Sequence, residues 1–375
     1  MLFVRRTFLF AVLMCAMLSA CQLKQKSAVS SGKAVPFRYA CLLQMERSEG
    51  YVVCRIADAW HTGKTLRTYV LLTDTTHLPD RLPAGTVVKV PLRRAVAGSS
   101  VHAALAYELG AGGQLAGMCD ANFVVRKDLR QALADGRLRD MGPGVQPDAE
   151  RMLHNGIDGV LISPYENAQY GPIAQTGIPL IECADYMETT ALGRAEWMKF
   201  YGLLFGCPEQ ADSLFAEVER NYLALCRKAA RATSRPRVLV DCQVGGTWYV
   251  PGGSSTIGTL LRDAGADYLF ADNTASGSLP YNFEQVYARG ADADVWIIRY
   301  GSASNLTRAQ LGRDFAPNRR LRPWRENRIY LCNVSLRPYY EDTAFFPDRQ
   351  LRDLVQIFHP ELAAGTMLQY YEKME

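Results

Sequence analysis

The sequence predicts an α/β fold: two α/β lobes with mostly parallel sheets, joined by one long helix and preceded by a β-rich segment. Three observations carry this expectation. Short apolar runs alternate with helical patterns over residues 93–190 and again after Pro236, the signature of βαβ units. An uninterrupted helical block separates the two runs. Without its leader the chain keeps about 355 residues, more than one hydrophobic core usually serves.

Composition narrows the classes further. A hydrophobic content of 48% with 21% charged residues is ordinary for a globular protein. A net charge of +4 is mild and argues against a nucleic-acid partner. Beyond the leader, no apolar stretch approaches membrane-spanning length.

Residues 1–20 read as a signal peptide. Arg5 and Arg6 precede an apolar run from Phe8 to Met17, which ends at Leu18-Ser19-Ala20-Cys21. A cysteine after small residues makes this a lipoprotein signal, with Cys21 acylated and the chain tethered to a bacterial membrane from the periplasm. The polar stretch 21–36 reads as a flexible tether. Of ten cysteines, none forms a C-x-x-C pair, so neither a zinc ribbon nor a thioredoxin motif is supported, and disulfide pairing stays open.

Residues 37–92 form the β-rich segment. Strands at Phe37–Gln44 and Tyr51–Ile56 flank a turn at Glu46–Gly50, and Leu66–Leu72 and Thr86–Pro91 follow. The N-lobe, 93–190, opens with Ala95–Ala97 and a helix over Val101–Leu109, with Ser100 as N-cap and Gly110 at its end. Gly159–Ile162 and Ile178–Glu182 are further strands. The linker, 191–232, begins with a helix over Ala191–Phe205 ended by Gly206. Pro208 then starts a second helix, where Ala211, Leu214, Phe215, Val218, Tyr222 and Leu225 recur at helical spacing. That helix is about 35 Å long at 1.5 Å per residue, enough to run beside both lobes. The C-lobe, 233–375, holds strands Arg237–Val240, Val295–Tyr300 and Arg328–Cys332 and helices Thr256–Ala264 and Asp348–Phe358.

Several segments in fixed order resemble the single-crossover substrate-binding proteins of ABC importers, which bind vitamin B12, iron–siderophore complexes and haem. They are Leu109–Asp120; Gln146–Leu153 followed by Asp158–Ile162; Asp185–Trp197; Trp248–Gly253; Asn282–Val286; and Pro347–Asp348 through His359–Glu361. His154–Ile157 replaces the family's usual Leu-Lys-Pro. Asp185–Trp197 is similar to a phrase in Bacteroidetes-type binding lipoproteins, and the whole resemblance covers about residues 93–360. It implies a binding protein rather than an enzyme, partnered by a permease and ATPase complex. It also implies that Glu150 and Glu284, each in the first turn of a helix and one per lobe, dock onto permease arginines.

In doubly wound sheets ligands bind beyond the carboxyl ends of the strands. That rule selects Ser99, Ser100, His102, Tyr165, Trp248, Tyr249, Arg299 and Tyr300. Large rings with few charges suit a bulky, partly apolar ligand, expected to be an iron chelate, haem or a corrinoid. With five histidines and no H-E-x-x-H pattern, no resident metal is expected. The basic run Arg313–Arg328 reads mostly as a solvated face. Among enzymes, the least implausible alternative is a periplasmic hydrolase using Ser254 or Ser255 with His102, although no G-x-S-x-G elbow is present. A purely structural surface lipoprotein is the third class. The chain is expected to be a monomer.

Overall fold

The computed structural model describes residues 32–76, 78–362 and 367–375. The signal peptide and Cys21 lie outside the described residues. The first sheet is built from β1 (Lys33–Val35), β2 (Leu43–Ser48), β3 (Tyr51–Ala57), β4 (Thr65–Leu72) and β5 (Thr86–Lys89), in sequential order. Its pairs are antiparallel except for β4 with β5. Strand β1 falls inside the stretch read as a tether. The β2–β3 hairpin turns at Glu49-Gly50, with Ser48 facing Tyr51, and Gly50 takes the left-handed φ of +78° that the turn requires.

Phe37–Leu42 is not a strand, contrary to expectation. Its backbone N–H groups point instead at two carboxylates far along the chain. Arg38, Tyr39 and Ala40 donate to Glu196 at 2.8–3.1 Å, and Cys41 and Leu42 donate to Glu188 at 2.9–3.1 Å. Five consecutive donors aimed at side chains leave none for a ladder.

The N-lobe sheet is fully parallel, in the order β10-β9-β6-β7-β8. Its strands are β6 (Ala95–Ala97), β7 (Leu115–Met118), β8 (Arg139–Asp140), β9 (Gly159–Ile162) and β10 (Leu180–Glu182). Helices α1 (Ser100–Glu108), α2 (Lys127–Ala134) and α3 (Ala149–His154) alternate with them. The fully buried strands β6 and β9 are apolar throughout, as a sheet covered on both faces requires. Tyr69 of β4 joins this sheet to the first, donating to Leu180 O and accepting from Glu182 N.

The linking block is α4 (Ala191–Glu196), α5 (Met198–Phe205) and α6 (Pro208–Ala229). The single helix expected over 191–205 breaks at Trp197, which is fully buried with its indole N–H on Glu188 Oε1. Gly206, at φ +70°, ends α5 as expected. Helix α6 buries Ala211, Phe215, Val218 and Tyr222, with Glu209 in its first turn and Arg227 and Lys228 in its last, each favourable to the helix dipole. At 22 residues it is about 33 Å long.

The C-lobe sheet runs β14-β11-β16-β17-β18, parallel except for its edge strand β18. It comprises β11 (Arg237–Val240), β14 (Asp267–Tyr268), β16 (Val295–Tyr300), β17 (Ile329–Asn333) and β18 (Glu372–Lys373). A small antiparallel sheet adds β12 (Gln243–Val244), β13 (Thr247–Pro251) and β15 (Ser278–Tyr281). The helices are α7 (Thr256–Asp263), α8 (Phe283–Gly290), α9 (Arg308–Asp314), α10 (Arg322–Arg325), α11 (Tyr339–Thr343) and α12 (Pro347–Phe358). Among the described residues all eight cysteines are free thiols, with Cys54, Cys119, Cys183 and Cys332 buried.

Candidate functional site

The two parallel sheets present their carboxyl ends to one another. Helix α11, which follows β17, lies against the loops that follow β7: Glu341 accepts from Val125 N and Arg126 N at 3.0 and 2.8 Å. The Arg126 guanidinium reaches Glu108 at 2.9 Å and Asp342 at 3.5 Å, and Arg349 reaches Glu108 at 3.3 Å. Burial pushes the carboxyls of Glu341 and Asp342 up from their ordinary values. On the other side of the sheets, Thr256 of α7 donates to Glu188 O at 3.1 Å.

Eight of the exposed large apolar side chains lie in segments that follow strands of the two parallel sheets. Phe123 follows β7, Val145 follows β8, Tyr165 follows β9 and Tyr186 follows β10. Leu336 and Tyr340 follow β17, and Val244 and Tyr249 lie in the hairpin after β11. Segments beyond the carboxyl ends of parallel strands are where an open α/β sheet presents its ligand surface.

The expected ligand residues divide. Tyr165 and Tyr249 are exposed. Ser99 caps α1 by accepting from His102 N, so the cap is Ser99 and not Ser100, which begins the helix half-buried. Gly98 before it is needed because a Cβ would come within 2.4 Å of Leu161 O. His102 is buried, its ring 5.9 Å from Tyr201 and its Nε2 3.9 Å from Asp185. Burial holds its pKa below the ordinary value of 6.5, against the pull of Asp185. Trp248 has no exposure: its indole N–H donates to Val240 O and its ring stacks on Trp296 at 5.7 Å. The Arg299 fork is taken by Asp241 at 3.1 and 2.6 Å, and Tyr300 is half-buried with its hydroxyl accepting from Leu306 N. His102 and Trp248 are therefore internal supports, too buried to touch a ligand, while Arg299 keeps part of its surface and is held by Asp241.

The hydrolase pairing also fails on geometry. Ser255 Oγ donates to Gly252 O at 2.6 Å and accepts from Gly258 N at 3.0 Å as the cap of α7, while His102 faces Asp185 in the other lobe. Phe123, Val145, Tyr186, Leu336 and Tyr340 were missed by sequence reasoning. Leu336 and Tyr340 were within reach, because they follow a strand that had been located. Glu150 and Glu284 are exposed in the first turns of α3 and α8. Among the described residues no cluster of three or more His, Cys, Asp or Glu is placed to hold a metal ion, and no helix is long and apolar enough to cross a membrane.

Two α/β lobes joined by one long helix, with exposed apolar side chains beyond the strand ends of both, are the architecture of a two-lobed binding protein. Residues 96–315 match the periplasmic binding protein family, and the chain belongs to it. An uncharacterized lipoprotein of Methanocaldococcus jannaschii is 26% identical over 298 residues, 76% of this chain and 70% of the relative. In structure the chain is similar to a periplasmic heme-binding protein from Pseudomonas aeruginosa, at TM-score 0.56 and 20% identity over 76% of this chain and 98% of that one. It is also similar to an ABC-type Fe3+-hydroxamate transport protein from Saccharomonospora viridis, at TM-score 0.55 and 18% identity over 72% of this chain and 94% of that one. The family resemblance read from the motifs is thereby borne out, and the structural likenesses extend to the fold.

Proposed function

We propose that this chain is the substrate-binding lipoprotein of an ABC importer, anchored through Cys21 on the periplasmic side of a bacterial membrane. In this reading it captures a metal chelate (an iron–siderophore complex, haem or cobalamin) between its lobes and delivers it to a permease and ATPase complex. The observation that carries the reading is the apolar character of the loops beyond the strand ends: Phe123, Tyr165 and Tyr186 on one lobe and Tyr249, Leu336 and Tyr340 on the other are all exposed. Flat or bulky ligands with apolar faces suit such walls, whereas sugars and amino acids call for dense polar contacts. The heme and Fe3+-hydroxamate proteins of the same fold support the same ligand class. Glu150 and Glu284, exposed at helix starts on separate lobes, supply the negative charges that orient the protein on its permease.

A thermal-shift screen with hemin, ferric siderophores and cobalamin, with sugars and amino acids as controls, tests this. A ligand at a hundred times its Kd stabilises by about 2.7 kcal/mol, easily seen in the melting temperature. Stabilisation by sugars or amino acids alone would falsify the ligand class.

A further inference from the structure

Beside Tyr165 the structure holds a cavity of about 200 Å3 between the first sheet and the N-lobe. One wall is the loop 164–168 with Glu182, the last residue of β10. The other comes from the turn after β3 and the start of β4: Asp58, Trp60, His61, Leu66 and Arg67. The two walls are bonded together, because Tyr69 of β4 donates to Leu180 O and accepts from Glu182 N. Sites for drug-sized molecules run to about 300–1,000 Å3, so this one suits a much smaller ligand.

Charge selects its kind. Three carboxylates, those of Asp58, Glu166 and Glu182, line the cavity with one guanidinium, that of Arg67. Asp58 is occupied by its own turn. Its Oδ1 accepts from Trp60 N at 2.9 Å and His61 N at 3.0 Å, and its Oδ2 lies 3.0 Å from His61 Nδ1. That turn sets Trp60 at the cavity wall.

Glu182 differs, being only 2% exposed and incompletely bonded. Its Oε1 accepts from Tyr170 OH at 3.0 Å, whereas Oε2 accepts no hydrogen bond. Arg67 Nε stands 3.1 Å from Oε2 without being aligned to donate, and the Arg67 side chain is 51% exposed, free to keep its charge in water. A buried carboxylate oxygen lacking a donor is costly, and a charged N–H donor relieves it best.

The rings supply the rest. Trp60 and Tyr165 line opposite walls, and Tyr165 is steadied by the edge of Tyr170 at 6.1 Å. Aromatic rings attract an ammonium group and pack against an alkyl stem. A bare metal ion fits less well, since among the described residues no three His, Cys, Asp or Glu are grouped to hold one.

We propose that this cavity binds a small primary alkylammonium ion, with an N–H donating to Glu182 Oε2 and the stem lying between Trp60 and Tyr165. Half of the site precedes residues 96–315, the part of the chain that carries the family match, so the first sheet acquires a binding role of its own. The site is independent of the importer function proposed above, and its failure would leave that function standing.

The test titrates the isotope-labelled full chain with n-butylamine at pH 8, where an alkylammonium is charged and an ordinary imidazole is neutral. NMR should show saturable shifts at residues 58–61, 164–168 and 182, including the Trp60 indole N–H. Butanol and butyrate keep the stem without the ammonium and should leave these signals in place. Tetramethylammonium keeps the charge without an N–H and should bind about tenfold or more weakly. Glu182→Gln retains an acceptor for Tyr170 and should also weaken n-butylamine about tenfold or more. Trp60→Leu, at a half-buried position, should weaken it roughly two- to fivefold and decides the matter if Glu182→Gln fails to fold. Absence of saturable shifts overturns the proposal, as does equal binding of butanol or tetramethylammonium. Unchanged affinity in either folded variant overturns it too.

Discussion

His102 shows how a residue chosen for ligand chemistry serves the interior. Its imidazole sits at 2% exposure between Asp185 and Tyr201, and burial lowers its pKa. Below its ordinary value of 6.5 the unfolded chain takes up a proton there while the folded chain resists it. Stability from this ring is therefore present above pH 6.5 and is lost as pH falls towards the folded value, at about 1.4 kcal/mol per pH unit between the two. Urea denaturation at several pH values from 7.5 to 5 should show that decline, and His102→Gln should flatten it whatever its effect at pH 7.5. An unchanged slope in the variant would assign the acid sensitivity elsewhere. Trp248 and Tyr249 teach a related lesson. Both follow a buried strand, yet they are neighbours on β13, and a strand sends successive side chains to opposite faces. The period of two was legible at Trp248-Tyr249-Val250; the strand that gives it meaning was not recognised.

At the scale of elements, the clamp formed by Glu188 and Glu196 is the least expected feature. Both carboxylates are nearly fully buried, and Glu196 also holds Lys199 at 2.9 Å. Burial works against the charge on Glu196. The N–H groups of Ala40, Tyr39 and Arg38, with Lys199, outweigh it and hold the carboxyl below its ordinary value. Replacing this residue by Ala strands three backbone donors, so Glu196→Ala should lower stability by about 2–4 kcal/mol. Glu219→Ala, which removes an ion pair with the exposed Arg38 and a hydrogen bond from Tyr39 OH but strands no backbone donor, should cost about 1 kcal/mol. Amide exchange is the sharper readout: protection at residues 38–40 should collapse in Glu196→Ala and persist in Glu219→Ala. Equal protection in both would show that the segment is held by packing alone. The long helix was legible because its period is local, and so were β9, β11 and β16, whose apolar runs declare themselves. The segment 37–42 was illegible because its partners lie about 150 residues away and are themselves charged, a combination that no local pattern encodes.

For the whole molecule, the seam between the lobes is bridged by charge as well as by chain. Glu341 is bound to Val125 and Arg126, and Arg126 and Arg349 meet at Glu108, so the lobes share a network with limited room to swing apart. Rigid lobes suit docking by two fixed points. Glu150 and Glu284 are expected to be those points, and Glu150→Lys with Glu284→Lys should leave ligand affinity unchanged while abolishing uptake in cells, since two attractions become two repulsions. Transport at the wild-type rate by the double variant would remove both residues from the interface. The order of lobe, helix and lobe could be read from the sequence. The seam could be read only in part, because which aromatic faces outward depends on how each strand end is continued.

The clamp on residues 38–42 also bears on the order in which the chain matures. A polypeptide exported from its amino terminus presents this segment early, but its anchors follow as many as 158 residues later. Contacts so distant in sequence form late, after the loop between them has closed. The clamp must therefore wait until α4 and the turn before it have assembled, whereas the hairpins of the first sheet, paired between neighbours in sequence, need no such wait. Through that interval residues 38–42 have their backbone donors turned to water, and the two buried carboxylates that later take them are still without partners.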